Sequence, residues 1–207
     1  MGARMGPFGT SLISFLAILN PFALCLYLAG VMDDLNFRDF IRVLTAASIL
    51  SFVVFFVFAL VGQPLLVDVL SVKPQALRVF GGVVFFVVAY NYVTKGYRAA
   101  EVLRGSLEEL PSAIALPYMI GAGTLTQAIL IGKQNSPRPS IFVVFLGVAT
   151  CFLVVAGFKL VRDHMRAARE HVFVRYVNIL SRINGLLIGA ISTEMILSGA
   201  RHLWLAD

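Results

Sequence analysis

An asparagine and a proline interrupt the first apolar run of this chain, where neither residue suits a continuous helix. The run spans residues 8–32 and contains no Asp, Glu, Lys or Arg, so it is long enough to cross the hydrocarbon core of a bilayer as a helix. Asn20 places an amide near the middle of the run, and Pro21 has no backbone N–H to donate to the helix. The pair predicts a helix break that exposes polar backbone groups at membrane depth.

The fourth apolar run carries the counterparts of this break. Pro117 frees backbone upstream, Gly121 and Gly123 loosen the helix, and Thr124 supplies a hydroxyl. Gly121 lies at about the same depth in its run as Asn20 does in the first. If two broken helices meet, their ends present N–H groups with positive partial charge and carbonyl groups with negative partial charge. Such ends suit a zwitterion, because they bind a carboxylate and an ammonium group without a charged side chain.

Composition indicates the class of protein independently of these motifs. Of the 207 residues, 59% are hydrophobic and 14% are charged, against roughly 25% charged in soluble domains, and the mean hydropathy is +0.88. The apolar residues are grouped in six runs, at 8–32, 43–67, 79–94, 110–132, 139–158 and 176–200. We therefore predict an all-α integral membrane protein with six transmembrane helices in a single domain, residues 1–207.

A short internal repeat divides the chain into halves. Arg78 and Gly81 open the third run, and Arg182 and Gly185 open the sixth with the same R-x-x-G spacing. We predict that repeat one spans residues 1–96, that a linker spans 97–112 and that repeat two spans 113–207. Because each half holds three helices, the second copy inserts upside down. Inverted three-helix repeats with helices 1 and 4 broken near the midplane are typical of secondary transporters. The linker is either a solvated loop or a short surface helix.

The distribution of positive charge predicts the orientation in the membrane. The net charge is +6, which in a membrane protein records topology and is not a signal for nucleic-acid binding. One side of the six-span arrangement receives Arg4, Lys73, Arg78, Lys133, Arg138 and Arg201, and the other receives the remaining eleven of the 17 Lys and Arg residues. The positive-inside rule then places both termini on the periplasmic or outer side of the membrane.

Other chemistry is sparse. Cys25 and Cys151 fall inside apolar runs, where a free thiol behaves as a small hydrophobe, and no structural disulfide is expected between them. The histidines lie in loops or at a helix end, so no metal, haem or other cofactor is predicted. No nucleophile with a base, and no pair of carboxylates, stands at membrane depth, which argues against an enzyme.

Two polar residues in other helices are weaker candidates for a pathway or for coupling. Glu194 is the one acid well inside an apolar run, and intramembrane acids are functional candidates by default, here for a proton. It can equally face water at the outer end of its helix. Asn91 belongs to the polar end of the helix predicted from the third apolar run, 79–94. This end serves either as an interfacial anchor or as the wall of a pathway.

Structural readings compete with the functional ones elsewhere. Asn20 can simply satisfy a backbone group released by Pro21. Gly81-Gly82 and Gly185-x-x-x-Gly189 form small-residue faces of the kind that let transmembrane helices pack closely, and packing is the favoured interpretation there.

The order of these motifs resembles the MarC-related family of bacterial membrane proteins, a branch of the LysE-type transporter group, over nearly the whole chain. The matching residues are Asn20-Pro21, Gly62-Gln63, Ala76-Leu77-Arg78, Gly81-Gly82, Pro117, Gly121, Gly123, Arg182, Gly185, Met195 and Gly199. The resemblance implies an inner-membrane protein with inverted three-plus-three architecture. Some members look like transporters of small neutral amino acids.

The chain departs from the family pattern in helices 1, 3, 4 and 6. Ala23 and Leu24 replace the usual Gly and Asn after Asn-Pro, and Ala122 replaces the proline of a Gly-Pro-Gly. Asn91 stands in place of a common acid, and Glu194 in place of a common Gln. Ser198 also stands where an acid is frequent. The resemblance therefore implies the fold of the family, and not its usual substrate or coupling ion.

The sequence therefore predicts a secondary transporter of a small polar solute, with glycine, alanine and serine as the leading candidates. The residues expected to bind the solute are Asn20, Pro21, Gly121, Gly123 and Thr124, with H⁺ or Na⁺ as the possible coupling ion and the lipid bilayer as the surrounding partner. The alternatives are a structural or regulatory membrane protein without transport activity, and an exporter of another small metabolite. Oligomeric state is not predicted.

Overall fold

The computed structural model describes residues 6–69, 71–96, 107–165 and 170–204, and these form helices and short connections without strands. The first apolar run is divided into three helices, α1 (Pro7–Leu19), α2 (Pro21–Tyr27) and α3 (Ala29–Asp34). The break predicted at Asn20-Pro21 is therefore present. Most of the predicted linker, residues 97–106, lies outside the described ranges.

The next two helices are long. Helix α4 (Phe37–Pro64) begins at the cap residue Asn36, whose side chain accepts a hydrogen bond from the Asp39 backbone N–H at 2.9 Å, and it continues as a π-helical turn at Leu65–Val69. Helix α5 (Pro74–Lys95) begins with a proline at its first position, where no backbone donor is needed.

The second half of the chain follows a similar order. A short helix α6 (Leu110–Ile114) continues as a π-helical turn at Ala115–Met119, and after a break the chain resumes as α7 (Ala122–Gln134). Helices α8 (Pro137–Met165) and α9 (Glu170–Trp204) complete the described part. The 35 residues of α9 span roughly 52 Å at 1.5 Å per residue.

Five segments of the described chain are long and apolar enough to cross a membrane. They are Phe8–Tyr27, Phe37–Val69, Pro74–Lys95, Pro137–His164 and Tyr176–Trp204. The fourth apolar run, 110–132, is divided into two shorter helices, because the chain is extended at Ile120 and Gly121.

Helix packing joins the two halves. The most extensive contact in the described structure is between α5 and α9, and α4 packs against both α8 and α7. Helices α1 and α2 pack against α8, and α7 also contacts α5. Small residues permit the α5–α9 contact: a Cβ added to Gly82 would lie 2.7 Å from Ile196 Cγ1, and one added to Gly185 would lie 2.9 Å from Tyr92 Cβ. The predicted packing role of these glycines is confirmed.

The buried faces of α4 and α8 repeat at a spacing of 100 residues. The buried pairs are Phe40 and Ser140, Val43 and Val143, Leu44 and Val144, Ser48 and Val148, Ser51 and Cys151, Phe55 and Val155, Ala59 and Lys159, and Gly62 and Arg162. In the last two pairs, α4 has the small residues Ala59 and Gly62 where α8 has the cations Lys159 and Arg162.

The two cations of α8 hold the end of α3 and form what we call the α3–α8 clamp, made of Lys159, Arg162, Asp33 and Asp163. The Lys159 ammonium, 2% exposed, donates to the backbone carbonyls of Met32 (2.7 Å) and Leu35 (2.9 Å) and to Asp163 Oδ1 (2.6 Å). Arg162 donates to the carbonyl of Ala29 at 2.7 Å and pairs with Asp33. A cation at a helix C-terminus is electrostatically favourable.

Gly81→Ala should destabilise the protein, because α5 and α7 touch at this residue. A Cβ at Gly81 would lie 2.6 Å from the backbone nitrogen of Gly123, and backbone cannot move aside as a flexible side chain can. We expect a loss of about 1–3 kcal/mol of stability, the usual cost of overpacking, seen as a lower melting temperature in detergent. Gly157→Ala is the matched control, since nothing lies within 4 Å of its added methyl group. An equal melting temperature in both variants would contradict this packing.

Candidate functional site

One small cavity is lined by a residue of the first helix break and by a residue of the turn that leads into the second. The space open to water-sized atoms is about 20 Å³, enough for roughly one water molecule. Asn20 comes from the first break and Tyr118 from the turn that precedes the second. The full lining is Ala17, Ile18, Leu19, Asn20, Ala23, Tyr27, Phe85, Tyr118, Ile188 and Ile191.

Asn20 both ends α1 and begins α2. Its backbone is left-handed (φ 44°, ψ 78°), a conformation that asparagine tolerates better than most residues. Its N–H donates to Leu16 O at 2.8 Å, and its side-chain oxygen accepts from the Ala23 N–H at 3.0 Å. The last turn of a helix leaves carbonyl oxygens without partners in that helix. Ala17, Ile18 and Leu19 of this turn line the cavity.

The amide of Asn20 also connects the first break to α9. Its Nδ2 donates to Asn184 Oδ1 at 3.2 Å. Asn184 is 3% exposed, and its own Nδ2 has no hydrogen-bond partner among the described residues. A buried amide N–H without a partner costs free energy. An additional acceptor bound beside this pair would remove that cost.

The second break is held open by a hydroxyl. Leu116 and Ile120 have extended backbone (φ −114°, ψ 120° and φ −94°, ψ 92°), as does Gly121 (φ −118°, ψ 167°). The Thr124 hydroxyl accepts from the Gly121 N–H at 2.8 Å and lies within donating distance of Met119 O (2.8 Å). Thr124 therefore caps α7, and its hydroxyl is already engaged in the described state.

Three tyrosines cluster beside the cavity. Tyr27 lies between the others, with ring centroids 4.8 Å from Tyr92 and 5.1 Å from Tyr118. Tyr27 and Tyr118 line the cavity, and Tyr92 is 2% exposed. The Tyr92 hydroxyl has no hydrogen-bond partner in the described part of the chain. Like the Asn184 amide, it is a buried donor without a described partner, and both residues lie behind the cavity wall and not in it.

The predicted binding residues occupy different places around this cavity. Asn20 lines it, and Pro21 follows as the first residue of α2. Gly123 lies beside the first break, since a Cβ there would be 3.5 Å from Ile18 Cγ2, 3.2 Å from Phe85 Cε2 and 2.9 Å from Met195 Cε. Gly121 and Thr124 form the cap of α7 rather than the cavity wall. The two breaks are thus neighbours in the structure.

The two weaker candidates lie elsewhere. Asn91 Nδ2 donates to Val87 O in its own helix at 3.0 Å. Glu194 is on the exposed face of α9, whereas Asn184, on the same helix, faces Asn20. Neither candidate lines the cavity between the breaks.

The site residues that the sequence analysis missed are Asn184 and the three tyrosines. Asn184 directly precedes Gly185 of the R-x-x-G motif, and an amide in an apolar run is itself a signal of function. The tyrosines gave no comparable signal, because aromatic residues are common throughout this chain.

Comparison with known proteins gives a family match over nearly the whole chain. A sequence model described as "MarC family integral membrane protein" matches residues 5–204. The chain is 26% identical over 208 residues to a UPF0056 membrane protein of Aquifex aeolicus, covering 95% of this chain and 93% of the relative. It is 24% identical over 193 residues to one of Pyrococcus horikoshii, with 92% of each chain covered. It is 29% identical over 169 residues to one of Methanocaldococcus jannaschii, covering 77% and 71%. No solved structure matches the chain.

Proposed function

Because this chain belongs to the MarC family of integral membrane proteins, we propose that it is a secondary transporter of a small polar solute. Neutral amino acids, namely glycine, alanine and serine, are the leading candidates. The observation that carries the proposal is that two helix breaks, 100 residues apart in the chain, are neighbours, with one cavity lined by Asn20 of the first break and by Tyr118 of the turn before the second. Transporters bind their substrates at such paired breaks.

The chemistry around the cavity favours a neutral zwitterion. The end of α1 contributes carbonyl groups, which suit an ammonium group. Behind the lining residues Asn20 and Tyr27, the partnerless Asn184 amide and Tyr92 hydroxyl are donors, which suit a carboxylate once the cavity widens to reach them. No lysine, arginine or acid is among the residues that line the cavity, so a solute with a large net charge would be poorly compensated there.

Two observations support an architecture of six spans in two inverted repeats, at 1–96 and 113–207. The first is the 100-residue spacing of the buried faces of α4 and α8. The second is that each half packs its broken helix against the long helix of the other half. Helices α1 and α2 pack on α8, and α6 and α7 pack on α4. A pseudo-twofold axis would relate these contacts. The α5–α7 contact has only a small counterpart between α9 and α2, so the two halves are not identical in arrangement.

The size of the cavity implies movement during transport. A space of about 20 Å³ is too small for glycine, alanine or serine, so the cavity has to widen before it can hold one of them. Loading a solute then requires one half-helix to move away from its neighbours, as alternating access demands. In this proposal the protein lies in the bacterial inner membrane with both termini outside, and H⁺ or Na⁺ drives the cycle.

Counterflow in proteoliposomes tests the function. Vesicles loaded with unlabelled serine should accumulate labelled serine from outside, and glycine and alanine should compete for it. The same vesicles, given an inward H⁺ or Na⁺ gradient in turn, identify the coupling ion. If H⁺ drives uptake, Glu194→Gln should remove the drive while leaving counterflow intact. A folded protein that moves none of the three amino acids would contradict the amino-acid proposal and favour another metabolite or a structural role.

A further inference from the structure

A second, larger polar cavity lies where α4 and α7 end. Its volume is about 240 Å³, against about 20 Å³ between the helix breaks, and the two cavities have no lining residue in common. Three polar side chains line it, those of Gln63, Asp68 and Lys133. Ala59 of α4 and Gly132 of α7 also contribute to its wall. It lies beyond the apolar part of α4, at an end of the molecule where charged residues are frequent.

Two opposite charges border this cavity without neutralising each other. Asp68 belongs to the π-helical turn after α4, and Lys133 to the last turn of α7. Neither makes an ion pair or a side-chain hydrogen bond with another described residue. The last turn of α7 adds the negative end of a helix dipole. A carboxylate, an amide, a helix C-terminus and an ammonium group therefore border the same space, and together they complement a dipolar molecule.

The α3–α8 clamp shows which chemical group lies at the corresponding place in the other half of the chain. At the 100-residue spacing, Ala59 of this cavity corresponds to Lys159, and Gly132 corresponds to Met32. In the clamp, the Lys159 ammonium fills the gap and takes the Met32 carbonyl and the Asp163 carboxylate as acceptors. Around the cavity the corresponding position is Ala59, whose backbone carbonyl lies against Gly132, so α4 brings no ammonium group to this end of α7.

We propose that this cavity is a second binding site, for the ammonium group of a small zwitterionic amino acid whose carboxylate pairs with Lys133. The ammonium group takes the place that Lys159 occupies in the clamp, near the carbonyl end of α7, with Gln63 and Asp68 as further acceptors. The site is peripheral to the helix breaks. The choice of an amino acid as the ligand rests on the proposed function, whereas the site itself rests on the cavity and its charges.

Equilibrium binding of labelled L-serine to the purified full chain tests the second site. The wild-type protein should bind two molecules per chain. The double variant Asp68→Asn, Lys133→Gln should bind one, with affinity at the other site weakened at least about tenfold, as expected when charge-assisted hydrogen bonds are lost. The double variant Asp34→Asn, Lys95→Gln is the control, because it makes the same substitutions at exposed positions away from both cavities.

The outcomes separate this site from the helix-break site. Asn20→Leu should remove the serine bound at the helix breaks and leave the serine bound at the second site. The Asp68, Lys133 variant should do the reverse. Unchanged binding in the Asp68, Lys133 variant would overturn the second site while leaving the proposed function standing. If binding is lost in that variant but is unaffected by Asn20→Leu, the result would support the second site and contradict the site at the helix breaks. A wild-type protein that binds no serine would overturn both.

Discussion

Replacing Asn20 by leucine should reduce amino-acid transport at least tenfold. Leucine cannot accept the hydrogen bond from the Ala23 N–H or donate to Asn184. It also lacks the short polar side chain that lets asparagine tolerate the left-handed backbone found at this position. The polar groups of the first break would then be lost together with its geometry. The measurement is the initial rate of serine counterflow, normalised to the amount of folded protein in the vesicles.

Asn184→Leu separates solute binding from helix capping. Asn184 bonds to the Asn20 side chain but caps no helix end at the break, so this variant leaves the α1–α2 junction its own hydrogen bonds. If the amide pair binds solute, Asn184→Leu should impair counterflow about as severely as Asn20→Leu. Full activity in the Asn184 variant, with loss in the Asn20 variant, would mean that Asn20 acts only as a structural cap.

Lys159→Met should cause a large loss of stability, greater than the loss expected for Gly81→Ala. The change keeps an unbranched apolar stem but leaves the carbonyls of Met32 and Leu35 without their shared donor. Leaving a buried hydrogen-bonding group without its partner typically costs about 1–3 kcal/mol, and because two carbonyls lose their donor here we expect a loss of about 2–6 kcal/mol. For a chain of this size such a cost corresponds to a drop in melting temperature of about 10 °C, measured by thermal unfolding in detergent.

Lys95→Met provides the matched control for the clamp. Lys95 is exposed at the end of α5, so the same substitution should change stability by no more than about 0.5 kcal/mol. Equal melting temperatures for the two variants would show that the α3–α8 clamp contributes little, and that apolar packing alone holds α3 against α8.

Both helix breaks could be predicted from the sequence because their signals are local. Asparagine before proline, and two glycines within three residues, disturb a helix whatever surrounds them. The packing role of Gly81 and Gly82 could be predicted for the same reason. The residues lining the cavity beyond Asn20 could not, since they depend on which helices become neighbours.

Long-range partners account for what the sequence did not indicate. Asn184 lies 164 residues from Asn20, and only the packing of α9 against the first break brings the two amides together. Lys159 and Arg162 entered the sequence analysis solely as charges that set topology. Their burial depends on where α3 ends and on the rotation of α8, which composition and spacing do not specify. Thr124 was predicted to bind solute, but its capping bond to Gly121 became visible only with the backbone path.

The central claim, that solute occupies the cavity between the two helix breaks, can be tested by chemical protection. Ile188→Cys places a thiol in the cavity wall, in a background where the free cysteines Cys25 and Cys151 are replaced by alanine. Leu187→Cys, on the exposed face of the same helix, is the control. Serine should slow alkylation of the introduced thiol at Ile188, with the same concentration dependence as transport, and leave the control unchanged. Saturable serine transport with an alkylation rate at Ile188 that serine does not alter would contradict the claim.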